Sequence, residues 1–248
     1  MDRIVLTITR YPAVHLLTAL HSMPFFRLPL SVNKRIGFYK LMGCGKNGVF
    51  SLQADWRQYA VFTAGKAEDT PLPDPATYEE WKKTFYGSFI SRWWRFCRCE
   101  TWTIVLEPIL SHGTWSGQSL TASGRKPSEE EPVAVLTRAT IRPRKAWDFW
   151  KSVLPVQRQM KDIPGLTFSV GLGEIPLFRQ ATFSIWQNET QMKQFAYARS
   201  RHKDVVKQTR EKQWYSEEMF TRFRVLQTAG TIFGKNPFPL QTQEDQPH

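Results

Sequence analysis

Apolar residues recur along the chain at two spacings, and their alternation divides it into short elements. Ile4 to Ile8 reads as a strand, Pro12 opens a helical stretch through Ala13, Leu16, Leu17 and Leu20, and strands follow at Ile36 to Met42 and Gln58 to Thr63. Phe25, Phe26, Leu28 and Leu30, interrupted by Pro24 and Pro29, suit a lid, a membrane-touching loop or a buried connection, and the buried connection is favoured because exposed apolar patches are unusual unless used. A polar, proline-bearing loop from Gly65 to Pro75 leads to one aromatic-rich helix predicted over 77–97 and a fourth strand from Thr101 to Leu106. Leu120 to Pro132, with Ser, Gly, Lys, Pro and three consecutive glutamates, has the makeup of a linker.

After that linker the order returns. Val133 to Thr140 is a strand, Pro143 opens a helix with Trp147, Trp150 and Val153, and strands follow at Leu166 to Leu172 and Ala181 to Trp186. A helix is predicted from Thr190 to Glu211, before a last strand that finishes at Ala229-Gly230. Gly43-x-Gly45 answers Gly171-x-Gly173, and Gly113-Thr114-x-x-Gly117 answers Gly230-Thr231-x-x-Gly234. Each half is thus β-α-β-β-α-β, the ferredoxin-like order. Such a sheet carries its helices on one face, and two of them in one chain can cover each other's bare face. The predicted fold is α+β, two tandem ferredoxin-like repeats closing an intramolecular dimeric α+β barrel. The predicted boundaries are an N-terminal repeat at 1–119, a linker at 120–132, a C-terminal repeat at 133–237 and a polar tail at 238–248.

Composition supports a packed core, with 41% hydrophobic residues, 10 Trp and 17 Phe. No run approaches the ~20 apolar residues of a spanning helix, and Met1-Asp2-Arg3 leads into a strand-like run without a signal-peptide layout, so a soluble or peripheral protein is expected. Cys44, Cys97 and Cys99 are odd in number and lack zinc or disulfide spacing, which points to a reducing cytoplasm. The formal charge of +12 attracts anions, whether nucleic acid, phospholipid headgroups or haem propionates. The basic residues are dispersed, so charge alone does not choose among them.

On the predicted helix before the last strand, Met192, Phe195, Arg199, His202 and Val206 share one face. An imidazole so placed suits an axial metal or haem ligand, and equally a buried histidine bonded to a backbone carbonyl. The repeat sets His202 opposite Phe85, which implies one site per chain. Arg138 and Arg142 alternate along the strand that opens the second half and are expected on one face. Facing inward they would need an anion or polar ligand, such as a haem propionate or an iron-bound oxygen species; otherwise they flank the helix start and pair with surface acids.

Longer motifs add a resemblance. Gly37-Phe38-Tyr39-Lys40-Leu41-Met42-Gly43-Cys44-Gly45, Leu136-Thr137-Arg138-Ala139-Thr140-Ile141-Arg142-Pro143, Gly171-Leu172-Gly173-Glu174-Ile175-Pro176, Ala181-Thr182-Phe183-Ser184-Ile185-Trp186 and Trp214-Tyr215-Ser216-Glu217-Glu218-Met219-Phe220-Thr221-Arg222-Phe223 resemble the spheroidene monooxygenase family of carotenoid biosynthesis. The resemblance spans about Ile36 to Pro237. It implies a haem-containing oxygenase that uses O2 and reducing electrons to convert a methylene of a linear carotenoid to a ketone. His202, between Phe195-Ala196 and the Trp214 to Glu218 run, matches a family histidine and is the implied proximal haem ligand. Arg138 and Arg142 are the candidate catalytic residues, one polarising bound oxygen. Arg210, Trp214 and Arg222 complete the candidate cofactor-binding set, and Lys40 is a further basic residue on a strand. Trp186, Phe183 and Trp214 are candidate pocket walls.

The implied partners are an apolar carotenoid-like substrate and an electron donor such as ferredoxin. The positive surface and the Phe25 to Leu30 segment add a peripheral contact with the inner face of the membrane. A cofactor-free barrel monooxygenase and a non-catalytic haem-binding protein stay open. The βαββαβ order is also that of RNA-recognition domains, but no strand carries their basic-Gly-aromatic-Gly-aromatic pattern, so no nucleic-acid partner is expected.

Overall fold

In the computed structural model, which describes residues 2–46, 53–157, 163–198 and 213–239, the two predicted repeats follow one another. The first holds β1 (Asp2–Arg10), α1 (Leu16–Ser31), β2 (Phe38–Gly45), β3 (Ala54–Lys66), α2 (Tyr78–Tyr86), α3 (Ser88–Phe96) and β4 (Glu100–Gly113). The second holds β5 (Val133–Ile141), α4 (Ala146–Gln157), β6 (Leu166–Ile175), β7 (Arg179–Trp186), α5 (Glu189–Ala198) and β8 (Tyr215–Gly230). Each repeat forms an antiparallel sheet, β4-β1-β3-β2 and β8-β5-β7-β6. Pairing of β2 with β6 and of β4 with β8 closes them into one eight-stranded barrel. This is the intramolecular dimeric α+β barrel that the repeat order requires.

Glycine markers lie at both seams. At one seam Gly43 lies opposite Gly173 and Cys44 opposite Leu172. At the other, Trp102 lies opposite Gly230 and Gly113 opposite Met219, a reciprocal pairing about a pseudo-twofold axis. The hydrogen bonds repeat as well: Thr114 N donates to Glu218 O at 2.9 Å, and Thr231 N to Thr101 O at 3.0 Å. Gly113 and Gly230 have φ of +80° and +82°, and a Cβ at either would meet a carbonyl oxygen at 2.1 Å. The crossing chains therefore require glycine at both places.

Alternation along the strands splits the apolar residues into layers. Ile4, Leu6 and Ile8 of β1, Ala134 and Leu136 of β5, and Phe223 of β8 belong to a cluster that fills the barrel interior. The outward residues of the first sheet meet α1, α2 and α3 in one continuous cluster that includes Val5, Phe26, Trp81, Phe85 and Trp94. Beneath α2, Thr7 Oγ1 lies 2.7 Å from the Tyr86 hydroxyl and 2.6 Å from Thr103 Oγ1, which is 2.6 Å from the Tyr78 hydroxyl. These buried polar atoms thus satisfy one another.

Two local expectations differ. The helix predicted over 77–97 is broken at Gly87, whose φ of +86° and ψ of 163° turn the chain between α2 and α3. Phe25 to Leu30 is not a buried connection but the second half of α1, with Pro24 and Pro29 inside the helix. Only Phe26 and Leu30 of its apolar residues are buried, while Phe25 and Leu28 are exposed. Among the described residues no helix is long and apolar enough to cross a membrane.

Candidate active site

Register places equivalent residues of the two sheets side by side. On the outward face of the first sheet one row reads Leu41, Val61, Thr7, Thr103 across β2, β3, β1 and β4. The matching row of the second sheet reads Gly171, Thr182, Thr137, Phe220 across β6, β7, β5 and β8. Two bulky aliphatic side chains are replaced by a glycine and a threonine, and by register Gly171 answers Leu41, two residues before the Gly43 that the sequence motif sets against it. Thr7 is wholly buried under α2, whereas Thr137 is exposed.

Packing follows the same asymmetry. Among the described residues, the outward face of the second sheet carries two separate apolar clusters. One joins Val133, Val135, Trp186 and Met192, with Phe195 and Phe220 against them. The other joins Ile141, Phe149, Trp150 and Trp214. The row of small residues lies between them, a floor between two aromatic walls. Thr182 Oγ1 and Arg222 Nε are buried there without a hydrogen-bond partner, and buried polar atoms of this kind ordinarily have one.

Helix α5 starts beside this floor. Asn188 Oδ1 accepts from Gln191 N at 2.9 Å and caps its first turn. Met192 is buried and the Phe195 ring lies 5.1 Å from that of Trp186, so the first two members of the predicted apolar stripe face the sheet. His202 and Arg210, further along that stretch of sequence, lie outside the described residues. Among the described residues no three His, Cys, Asp or Glu side chains converge as a metal-ligand group.

The structure separates the other candidates. Arg138 points into the barrel and is 1% exposed, in an ion-pair lattice. Its NH1 donates to Glu217 Oε2 at 2.5 Å, its NH2 lies 3.6 Å from Glu174, and its guanidinium is 5.7 Å from the Trp115 ring centre. Glu174 accepts from Trp115 Nε1 at 2.7 Å and pairs with Lys40 at 3.2 Å. Burial pushes the Glu217 carboxyl up, but the Gly117 amide, the Arg138 guanidinium and the Thr114 hydroxyl outweigh it and hold the group at about 2. Arg142 does not share this face, because β5 ends at Ile141. It is exposed, and its Nε donates to Tyr215 O at 3.1 Å. With Arg144, Lys145 and Arg179 it rims an open cleft of about 660 Å³ whose apolar lining includes Ile141 and Phe178.

Arg222 is on the outward face of β8, with NH1 donating to Glu189 Oε1 at 2.6 Å, and so is held beside the first turn of α5. Trp214 is wholly buried, 5.7 Å edge-on to Phe149, and builds one wall. Of the other candidate walls, Trp186 stands on the outward face whereas Phe183 fills the barrel interior. The site residues not singled out from sequence are Thr137, Thr182 and Gly171. Each lies within one of the quoted motifs, but small size in strands otherwise rich in bulky residues is all that marks it individually.

Comparison with known proteins bears on this site. No family model matches the sequence. Spheroidene monooxygenase of Rhodobacter capsulatus is 36% identical over 220 residues, covering 88% of this chain and 87% of that protein. Spheroidene monooxygenase of Rubrivivax gelatinosus is 34% identical over 200 residues, covering 80% and 72%. The chain belongs to the spheroidene monooxygenase family. It is a monooxygenase. Among solved structures, an aldoxime dehydratase in complex with butyraldoxime superimposes with a TM-score of 0.57 at 8% identity, covering 91% of this chain and 79% of that one. That likeness shows the fold alone.

Proposed function

We propose that this member of the family is a haem-dependent oxygenase that introduces a keto group into a carotenoid or similar long apolar substrate. The observation that carries the reading is the split outward face of the second sheet, where small side chains form a floor between aromatic walls beside the start of α5. A planar macrocycle fits such a floor better than the filled face of the first sheet, and the unpartnered Thr182 hydroxyl and Arg222 Nε offer polar contacts. His202 would be the residue that holds the haem iron. Arg210 and Arg222 are the proposed partners of the propionates, and the basic rim at Arg142 is a further place for carboxylates. Arg138, on the inward face, is a positioning residue that fixes β5 beneath the floor.

Haem, when bound, supplies oxygen activation. The protein's part is to hold the polyene between the walls above the floor, exclude water with Trp214, Trp186 and Phe195, and keep one methylene in place for two successive insertions. Each insertion consumes one O2, two electrons and two protons and releases one water, and loss of water from the resulting diol leaves the ketone. An external reductant such as ferredoxin is the proposed electron donor. The proposed location is the cytoplasm, at the inner face of the membrane in which such a substrate resides.

Reconstitution with haem tests this. A Soret band is expected in the wild type, shifted or lost in His202→Ala, and weakened in Thr137→Trp, which fills the floor without touching the barrel interior. Carotenoid turnover by protein that takes up no haem would instead establish a cofactor-free oxygenase.

A further inference from the structure

A helix is normally apolar on the side it buries and polar on the side it shows to water. Helix α1 is apolar on both. Ala19, Phe26 and Leu30 face the sheet, while Leu17, Pro24, Phe25, Leu28 and Val32 lie on the opposite side, with Leu17 73% and Leu28 71% exposed. Helix α3 runs antiparallel beside it, since His15 lies near Phe96 at 6.1 Å and Phe26 near Phe89 at 6.5 Å. Phe96, 77% exposed, and Phe89 extend the same apolar surface. With 16 residues α1 is too short to span a bilayer, which takes ~20.

The charges around this surface have one sign. No Asp or Glu occurs between Asp2 and Asp55 or between Glu80 and Glu100, so both helices are free of acids. Arg27, Arg92 and Arg95 are exposed on them, and Lys34 and Arg35 follow α1. Apolar side chains in the middle of a cationic surface match the interface of an anionic bilayer. There the rings and leucines enter the acyl boundary while the guanidinium groups stay at the phosphates.

We propose that the α1–α3 face is a membrane-docking surface that lays these two helices flat in an anionic lipid interface. It deepens the membrane contact in the proposed function by naming the surface, but it stands on residues of the first repeat and not on the haem floor. Its place is to hold the enzyme on the bilayer, and the floor of the second repeat is a separate structure.

Co-sedimentation of the full chain with vesicles of phosphatidylcholine and phosphatidylglycerol, against pure phosphatidylcholine, tests the proposal without any substrate. Wild type is expected to bind the anionic vesicles, at least tenfold more weakly in high salt. L28E/F96E is expected to lose at least tenfold in binding while keeping the wild-type melting temperature, since both side chains point outward. R92E/R95E should lose most of the preference for anionic lipid. Wild-type protein that fails to sediment at low salt, or L28E/F96E that binds undiminished, overturns the proposal. So does a dimer abolished by L28E/F96E in the absence of any vesicle binding, which would make the face a self-association surface. Vesicle binding without carotenoid oxidation would sink the carotenoid-ketolating reading and leave the docking surface standing.

Discussion

At the scale of the residue, Arg138 shows what strand alternation reveals and what it hides. The period of two places it on the same face of β5 as Ala134 and Leu136, hence inside the barrel. Its partners could not be read in the same way. Glu174 comes from the end of β6 and Glu217 from the start of β8, brought to Arg138 by the strand order of the second sheet, and closure of the barrel adds Lys40 and Trp115 from the first repeat. Arg142 was misplaced for a related reason, because a Pro143–Lys145 3₁₀ turn replaces the strand there and the alternation stops. Removing one member of a buried ion pair leaves the others uncompensated, so Arg138→Ala is expected to cost about 3–5 kcal/mol in chemical denaturation. Arg138→Met, which fills the space, should cost less than Arg138→Ala. Glu217 predicts a pH dependence. Its folded-state value of about 2 lies below the usual 4.5, so it adds stability that is fully present above 4.5 and lost as pH falls towards 2. Melting temperature should therefore decline across that window, and Glu217→Gln should flatten the decline while lowering stability at neutral pH. An unchanged acid profile in the variant would show that Glu217 is not the group responsible.

At the scale of the element, the errors fall where local pattern competes with packing. The run over 77–97 has helical periodicity throughout, but Gly87 sits in a backbone region open essentially to glycine alone. The turn lets α2 cover Thr7 and Thr103 while α3 lies along α1, which one straight helix could not do. A Cβ at Gly87 meets nothing within 4 Å, so the cost of substitution is backbone strain, not a clash. Gly87→Ala is expected to destabilise by about 1–3 kcal/mol, read as a lower denaturant midpoint with an unchanged slope. A variant as stable as wild type would mean that α2 and α3 can merge without loss. For α1 the prolines suggested a break, yet the helix tolerates both. Pro24 and Pro29 each remove an internal amide hydrogen bond, and the burial of Phe26 and Leu30 against the first sheet offsets that loss.

At the scale of the molecule, the duplication was legible because Gly113 and Gly230, two of the glycines that mark it, are required by the crossing of β4 and β8. The asymmetry between the halves was not, since Thr7 and Thr137 are the same residue in the same place and only their surroundings differ. One is sealed by Tyr78 and Tyr86, and the other lies open between two clusters. Closure also decides whether the repeats can stand alone. Split between 1–119 and 133–237, each would bare the inward face of its sheet and the free edges of two strands, β2 and β4 in one and β6 and β8 in the other. The barrel interior is built from both, with Leu6 and Phe62 from the first repeat and Leu136 and Phe183 from the second in one cluster. Each half expressed by itself should therefore aggregate or melt without a cooperative transition, whereas the two expressed together should assemble and melt as one unit. Calorimetry on the separate and combined halves reads this directly. A sharp independent transition in either half would show that a repeat is a folding unit before it is half of a barrel, and that the shared interior adds to a stability each half already has.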